Sequence, residues 1–234
     1  MSMRRNELAL VQGWADTRTA LGAWRRRPST VLRPWALGSA CVTVFLLVAT
    51  WVVATLSTPD PTGTEFPGLT RAAEWGDFGF VLARNGLVLA LHALACVAGF
   101  MAGSSMPLVA RDHSGLWRKI HEKAGPVAIT FVGAATLFSL ATQAYTLGGQ
   151  ASTLAMMGHM SPFLLLVGML PHALPELFAL FLPLAAWTLA SRKGRWEDLL
   201  AATFVTVAIA IPLLIAAAAL ETWVSPRLLL WMGP

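Results

Sequence analysis

The stretch PFLLLVGMLPHALPELFALFLPLAAWTLA, residues 162–190, decides the fold. As a straight helix rising ~1.5 Å per residue it would measure about 43 Å, against a hydrocarbon core of ~30 Å. Such a segment crosses a bilayer, and it must tilt or break to do so. In its middle lie His172 and Glu176, flanked by Pro171 and Pro175. An ionisable side chain at the bilayer centre costs roughly 2.5–3.5 kcal/mol on insertion scales, so these two need partners and mark a functional-site hypothesis by default.

The prolines sharpen this reading. Pro175 leaves the carbonyl of Pro171 without its helical donor, and Pro183 does the same to Ala179. A kinked or discontinuous helix is expected at Pro171, Pro175 and Pro183, as either a kink or a re-entrant turn. Ser161 before Pro162 supplies an N-cap and a first-turn proline. If the helix restarts near Pro175, Glu176 falls in a first turn, where the helix dipole favours a carboxylate.

Outward from this stretch, four more runs reach membrane length: 35–56, 87–110, 126–147 and 199–220. The chain is 56% hydrophobic and 12% charged, with a mean hydropathy of +0.62, too apolar for an ordinary water-soluble domain. The expected fold is all-α: a polytopic membrane bundle of about five transmembrane helices. Residues 1–34 form a basic cytoplasmic or interfacial segment, 35–234 the membrane domain and 57–84 its outer loop.

Lys and Arg set the orientation, because basic residues in short loops stay cytoplasmic. Seven precede the first span (Arg4, Arg5, Arg18, Arg25, Arg26, Arg27, Arg33). Four join the second and third spans (Arg111, Arg118, Lys119, Lys123), and three join the fourth and fifth (Arg192, Lys193, Arg195). The other side holds Arg71, Arg84 and Arg227, with Asp60, Glu65, Glu74 and Asp77. The expectation is a multi-pass cytoplasmic-membrane protein with its N-terminus inside and C-terminus outside. This segregation also explains the net charge of +5 without nucleic acid as a partner.

Ahead of the first span, Leu10, Val11, Trp14, Leu21 and Trp24 recur at helical spacing opposite Asp16, Arg18 and Arg25. The pattern is that of an interfacial amphipathic helix, with membrane lipid as its partner. The basic segment is too long for a cleaved signal peptide. In the outer loop, Trp75, Phe78, Phe80, Val81 and Leu82 suggest a short helix against the membrane. After the third span, Gly148-Gly149 opens a second outer loop in which Met156, Met157 and Met160 surround His159. Flexible apolar packing is the reading for those methionines.

Other polar groups fall in or near the spans: Asn85, His92 and Glu221. Together with His172 and Glu176 they would line the outer half of a bundle. They form a polar cavity, conduction path or proton-sensitive switch, or else they bond one another and only fix helix packing; the sequence leaves both open. Gly99 and Gly103 make a small-x-x-x-small pair, and Gly133-Ala134-Ala135 and residues 216–219 add small surfaces. Such a motif serves internal packing or a homo-oligomer. Cys41 and Cys96 lie inside spans and read as apolar fillers. No metal ligand set, phosphate loop or nucleophile elbow is present, and no cofactor is expected.

The segment Pro171-His172-Ala173-Leu174-Pro175-Glu176-Leu177, followed after another span by Leu220-Glu221-Thr222-Trp223-Val224-Ser225-Pro226, resembles the stage II sporulation protein M family. The family pairs a His-x-x-x-Glu segment with a later Glu-Ala/Thr-aromatic-x-x-Pro ending, and Asn85-Gly86 matches its Asn-Gly opening of an earlier span. The resemblance covers about 85–230. It implies an integral membrane organiser of the cell envelope, anchoring a peptidoglycan-remodelling complex in endospore formers, and a relation to export-type ABC permeases.

Three functions compete. A membrane scaffold would recruit membrane or envelope proteins such as a peptidoglycan enzyme through its outer loops. A permease-like subunit of an ABC-type export system would need a separate ATPase, and discontinuous spans with midplane polar groups are a transporter habit. An intramembrane enzyme built on His172 and Glu176 would need a metal or activated water, yet no His-Glu-x-x-His pattern occurs. The scaffold, non-enzymatic, is the expected function.

Overall fold

In a bilayer the backbone has no water to bond, so each apolar run satisfies its own peptide groups by coiling into a helix. The computed structural model describes residues 9–60, 62, 66–110 and 114–233. Among the described residues the regular structure is helical, apart from one isolated bridge between Pro67 and Arg71. The helices are α1 (Ala9–Arg26), α2 (Pro28–Leu56) and α3 (Trp75–Phe100), the last running through a π turn (Met101–Ser105) into α4 (Met106–Val109). Then come α5 (Gly115–Glu122), α6 (Ala124–Met157) and α7 (Pro162–Arg192). A 3-10 turn (Trp196–Asp198) leads into α8 (Leu199–Ala219), and a π turn (Leu220–Val224) links it to α9 (Ser225–Met232). Five stretches are long and apolar enough to cross a membrane: Pro28–Leu56, Trp75–Ser104, Ala124–Met157, Pro162–Arg192 and Trp196–Met232. This is the all-α, five-span bundle expected from the sequence.

Its helix bounds differ from the apolar runs in instructive places. The second span begins at Trp75, twelve residues before 87, because Glu74 and Asp77 form a capping box. The Asp77 carboxylate accepts from the Glu74 amide at 2.9 Å and is gripped by both terminal nitrogens of Arg71. Two carboxylates at the positive end of a helix dipole start the helix early. The separate short helix expected over Trp75–Leu82 is therefore the first turns of α3, and Arg84 lies inside a span. The third span likewise runs through Gly148-Gly149 to Met157. Gly148 is no turn residue; a Cβ there would sit 2.5 Å from Val53 Cβ, so the glycine lets α6 press against α2.

Of the two forms expected for the fourth span, a kink or a re-entrant turn, the re-entrant turn does not occur. α7 is one helix with Pro171, Pro175 and Pro183 inside it. Around Pro183, neighbouring spans donate to carbonyls of α7. Ser39 Oγ donates to the Phe178 carbonyl at 2.6 Å, His92 Nδ1 to Leu180 at 2.7 Å and Cys96 Sγ to Pro183 at 3.5 Å. These three bonds fasten α7 to α2 and α3 on either side of Ala179, whose carbonyl Pro183 frees.

α7 is the central element. Every residue from Ala179 to Trp187 is buried, and a helix buried all round belongs at the middle of a bundle. It packs against α8 and α2, with α3, α6 and α9 completing the ring. Close approach rests on small side chains: Ala179 and Ala186 of α7 and Ala201, Ala202, Ala210, Ala217 and Ala218 of α8 are fully buried. Gly99 and Gly103 do the same. A Cβ at Gly99 would meet Trp187 Nε1 at 2.5 Å, and one at Gly103 would meet Trp196 at 2.0 Å. The pair packs within the chain.

One end of the bundle is basic. There α1 lies across the starts of α2 and α8: Trp24 packs edge-on to Trp35 with ring centroids 5.2 Å apart, and Gly13 abuts Leu200 and Phe100. The amphipathic helix expected before the first span is present. It buries Ala20 and Trp24 on the bundle and leaves Trp14 63% exposed under the Arg18 guanidinium. The side chains of Leu10 and Val11 lie outside the described residues, as do Arg4, Arg5, Glu65 and Arg111. The opposite end carries the loop after α2. Ser152 Oγ donates to the Ser57 carbonyl at 3.0 Å, and the Asp60 amide donates to Thr153 Oγ1 at 3.1 Å. Gly68, at φ +83°, turns the loop hard against Pro226, where a Cβ would come within 2.7 Å of the ring.

Candidate functional site

Near the loop end, four elements bring their polar groups to one place. α7 contributes His172 and Glu176, four apart and so on one face, about 15 and 21 Å below its start. Both are buried. The π turn after α8 contributes Glu221, whose carboxyl lies against that of Glu176. A π turn inserts a residue into the helical repeat and recurs at functional positions. Here it also buries Thr222, whose hydroxyl donates back to the Ala218 carbonyl at 2.8 Å.

α3 contributes the charge partner. A terminal nitrogen of Arg84 stands 3.7 Å from Glu221 Oε1 and 3.9 Å from Glu176 Oε1. These are electrostatic contacts beyond hydrogen-bond reach, and the Arg84 side chain is 52% exposed. Asn85, next in sequence, is 3% exposed and faces Glu176, and among the described residues its Nδ2 makes no well-formed hydrogen bond. Among the described residues, Glu221 Oε2 likewise makes no well-formed hydrogen bond, and the Glu221 carboxyl's near neighbour is that of Glu176. α9 closes the cluster: Ser225 Oγ and His172 Nδ1 share a hydrogen bond of 2.6 Å.

Two adjoining cavities meet at these groups. One, of about 280 Å³, lies between α3, α7, α9 and the loop; the other, of about 160 Å³, reaches between α2, α6 and α7. Phe66, Arg84, Gln150, Leu154, Met169, His172 and Glu221 line both, and Glu176 lines the smaller. A mostly apolar hollow with a few convergent polar groups is the usual form of a small-molecule site. Below it, the Ala179–Trp187 stretch of α7 is packed on every side.

Of the residues singled out from the sequence, the structure gathers Asn85, His172, Glu176 and Glu221. It places His92 elsewhere, bonded to the Leu180 carbonyl and beside the Phe181 ring, as a staple across the Pro183 turn. Sequence reasoning missed Arg84, which it placed in the outer loop, and Ser225. Arg84 immediately precedes Asn85, and Ser225 belongs to the Glu221–Pro226 ending. Among the described residues, no three His, Cys, Asp or Glu side chains come together as a metal-holding group.

Five membrane-length helices round a buried, polar-bearing α7 define a multi-pass helical membrane protein. Residues 124–226 match the family model described as Stage II sporulation protein M, a match that supports a stage II sporulation protein M type of membrane protein. The match spans α6, α7, α8 and the π turn. It includes His172, Glu176, Glu221 and Ser225, and it leaves Arg84 and Asn85 outside, so it is narrower than the 85–230 stretch that carries the resemblance. No curated protein and no solved structure matches the chain.

Proposed function

We propose that the protein is a non-enzymatic membrane organiser that gathers other membrane or envelope proteins at its loop end. The basic end faces the cytoplasm and the loop end faces outward, since fourteen of the seventeen Lys and Arg residues fall on the basic side. One observation carries the reading. The two cavities and their ionisable groups lie toward the loop end, while the Ala179–Trp187 stretch of α7 beneath them is buried throughout. A hollow above a densely packed stretch of helix suits binding rather than passage. The docked loop, held at Gly68 against Pro226, supplies a surface continuous with it.

Mass spectrometry of what copurifies with the tagged protein in mild detergent tests this, run beside a Glu176→Gln variant. The expected result is a set of envelope or membrane proteins that is lost from a variant still folded by thermal denaturation. An ATP-binding subunit recovered in stoichiometric amount would overturn it in favour of the permease-like reading.

A further inference from the structure

We infer that the basic end carries a phosphate-binding site, built where the joint between α1 and α2 meets the turn between α7 and α8. Two hollows adjoin there, of about 510 and 60 Å³, and share Trp24, Thr30, Val31 and Arg195. Arg26 and Arg27 line the wider one and Lys193 the narrower, so four cations from two distant parts of the chain surround one space. Among the described residues, the one carboxylate lining either hollow is Asp198, which is already bonded to Arg195. Asp16 and Glu197 act on Asp198 but line neither hollow. Arg26, Arg27 and Lys193 pair with no described carboxylate. The positive potential they focus in the hollow draws an anion.

Local structure holds these cations in place. α7 ends in a Schellman cap: the Gly194 amide donates to the Ser191 carbonyl at 3.1 Å and the Arg195 amide to that of Ala190 at 2.9 Å, with Gly194 at φ +67°. On the other side, the Arg27 carbonyl accepts from the Thr30 amide at 3.2 Å and from its hydroxyl at 2.7 Å. This fixes Arg27 at the start of α2, where the helix dipole adds positive potential. The inner wall is apolar, with Val31 and Leu189 packed on the Trp24–Trp35 pair.

Phosphate oxygens suit guanidinium forks and an ammonium, and basic hollows between spanning helices at a membrane surface take lipid headgroups. The phosphate can belong to an anionic lipid or be free. A lipid would also use the apolar wall, for its glycerol and first chain carbons. This site needs no protein partner, so it stands apart from the recruitment reading, and it is narrower than a general attraction of α1 to membranes.

The experiment is native mass spectrometry of the full chain released from phosphatidylcholine nanodiscs holding a minor share of phosphatidylglycerol. One retained phosphatidylglycerol per chain is expected. At about five-fold per cation, Arg26→Gln with Arg27→Gln should weaken retention roughly thirty-fold, and Lys193→Gln, on the other element, about five-fold. Arg25→Gln with Arg33→Gln removes the same charge from residues that line neither hollow, and should leave the lipid bound. Displacement of the lipid by inorganic phosphate assigns the natural ligand to free phosphate; retention unmoved by it assigns the lipid. Equal loss in the two double variants, undiminished retention in Lys193→Gln, or no preference for phosphatidylglycerol overturns the proposal.

Discussion

Replacing Arg84 with Gln should destabilise the bundle more than neutralising Glu221, although the two groups face each other. At 3.7 and 3.9 Å, each guanidinium–carboxylate contact is worth about 4 kcal/mol at an effective dielectric near 20. Because Arg84 is 52% exposed, screening brings each down to the order of 1 kcal/mol. Arg84→Gln removes both contacts and leaves two carboxyls against one another, a loss of about 2–3 kcal/mol. Glu221→Gln removes one contact, but it also removes the carboxyl–carboxyl repulsion and leaves a balanced Arg84–Glu176 pair. Its expected cost is within about 0.5 kcal/mol of zero. Reversible unfolding in mixed micelles at neutral pH measures both, and the double variant gives the coupling between them. If Glu221→Gln costs as much as Arg84→Gln, the charge arithmetic of the site is wrong.

The glycine pair offers a cleaner packing test. Gly103→Ala drives a methyl into the Trp196 ring and should cost about 1–3 kcal/mol, while Gly133→Ala, with nothing within 4 Å, should change the unfolding midpoint little. Ser225→Ala strands the buried His172 Nδ1 and should cost about 1–2 kcal/mol in the same assay. Burial, and then Glu197, hold the Asp16 carboxyl of α1 above its usual range. Its protonation therefore favours the docked α1: that contribution is present in acid and is lost as pH rises through the raised folded value. Asp16→Asn should remove this slope and protect α1 from hydrogen exchange at neutral pH. For orientation, a cysteine placed at Thr62 in a Cys41→Ala, Cys96→Ala background should react with an impermeant thiol reagent in intact cells. One placed at Ser114 should react only after permeabilisation.

Much of the fold was legible because a bilayer imposes one simple demand. Five long apolar runs must coil, and no partner information is needed to see that. Helix ends were less legible. The start of α3 depended on Glu74 and Asp77 capping a helix that hydropathy alone began twelve residues later. The end of α6 depended on Gly148 fitting against Val53, where the isolated sequence reads a turn. The continuity of α7 was invisible for the same reason: Pro183 weakens its turn locally, and Ser39, His92 and Cys96 hold the helix there from two other helices.

The site divides along the same line. The sequence by itself determined that His172 and Glu176 lie on one face of a membrane-buried helix, because spacing of four and bilayer depth are properties of a single segment. Only the tertiary structure decided what they meet. Arg84, Glu221 and Ser225 come from three other elements, brought together by α3, the π turn and α9 packing round α7. Electrostatic and hydrogen-bond partners are chosen by distances across the bundle, and those distances are set by the small buried side chains of α7 and α8 rather than by any local pattern.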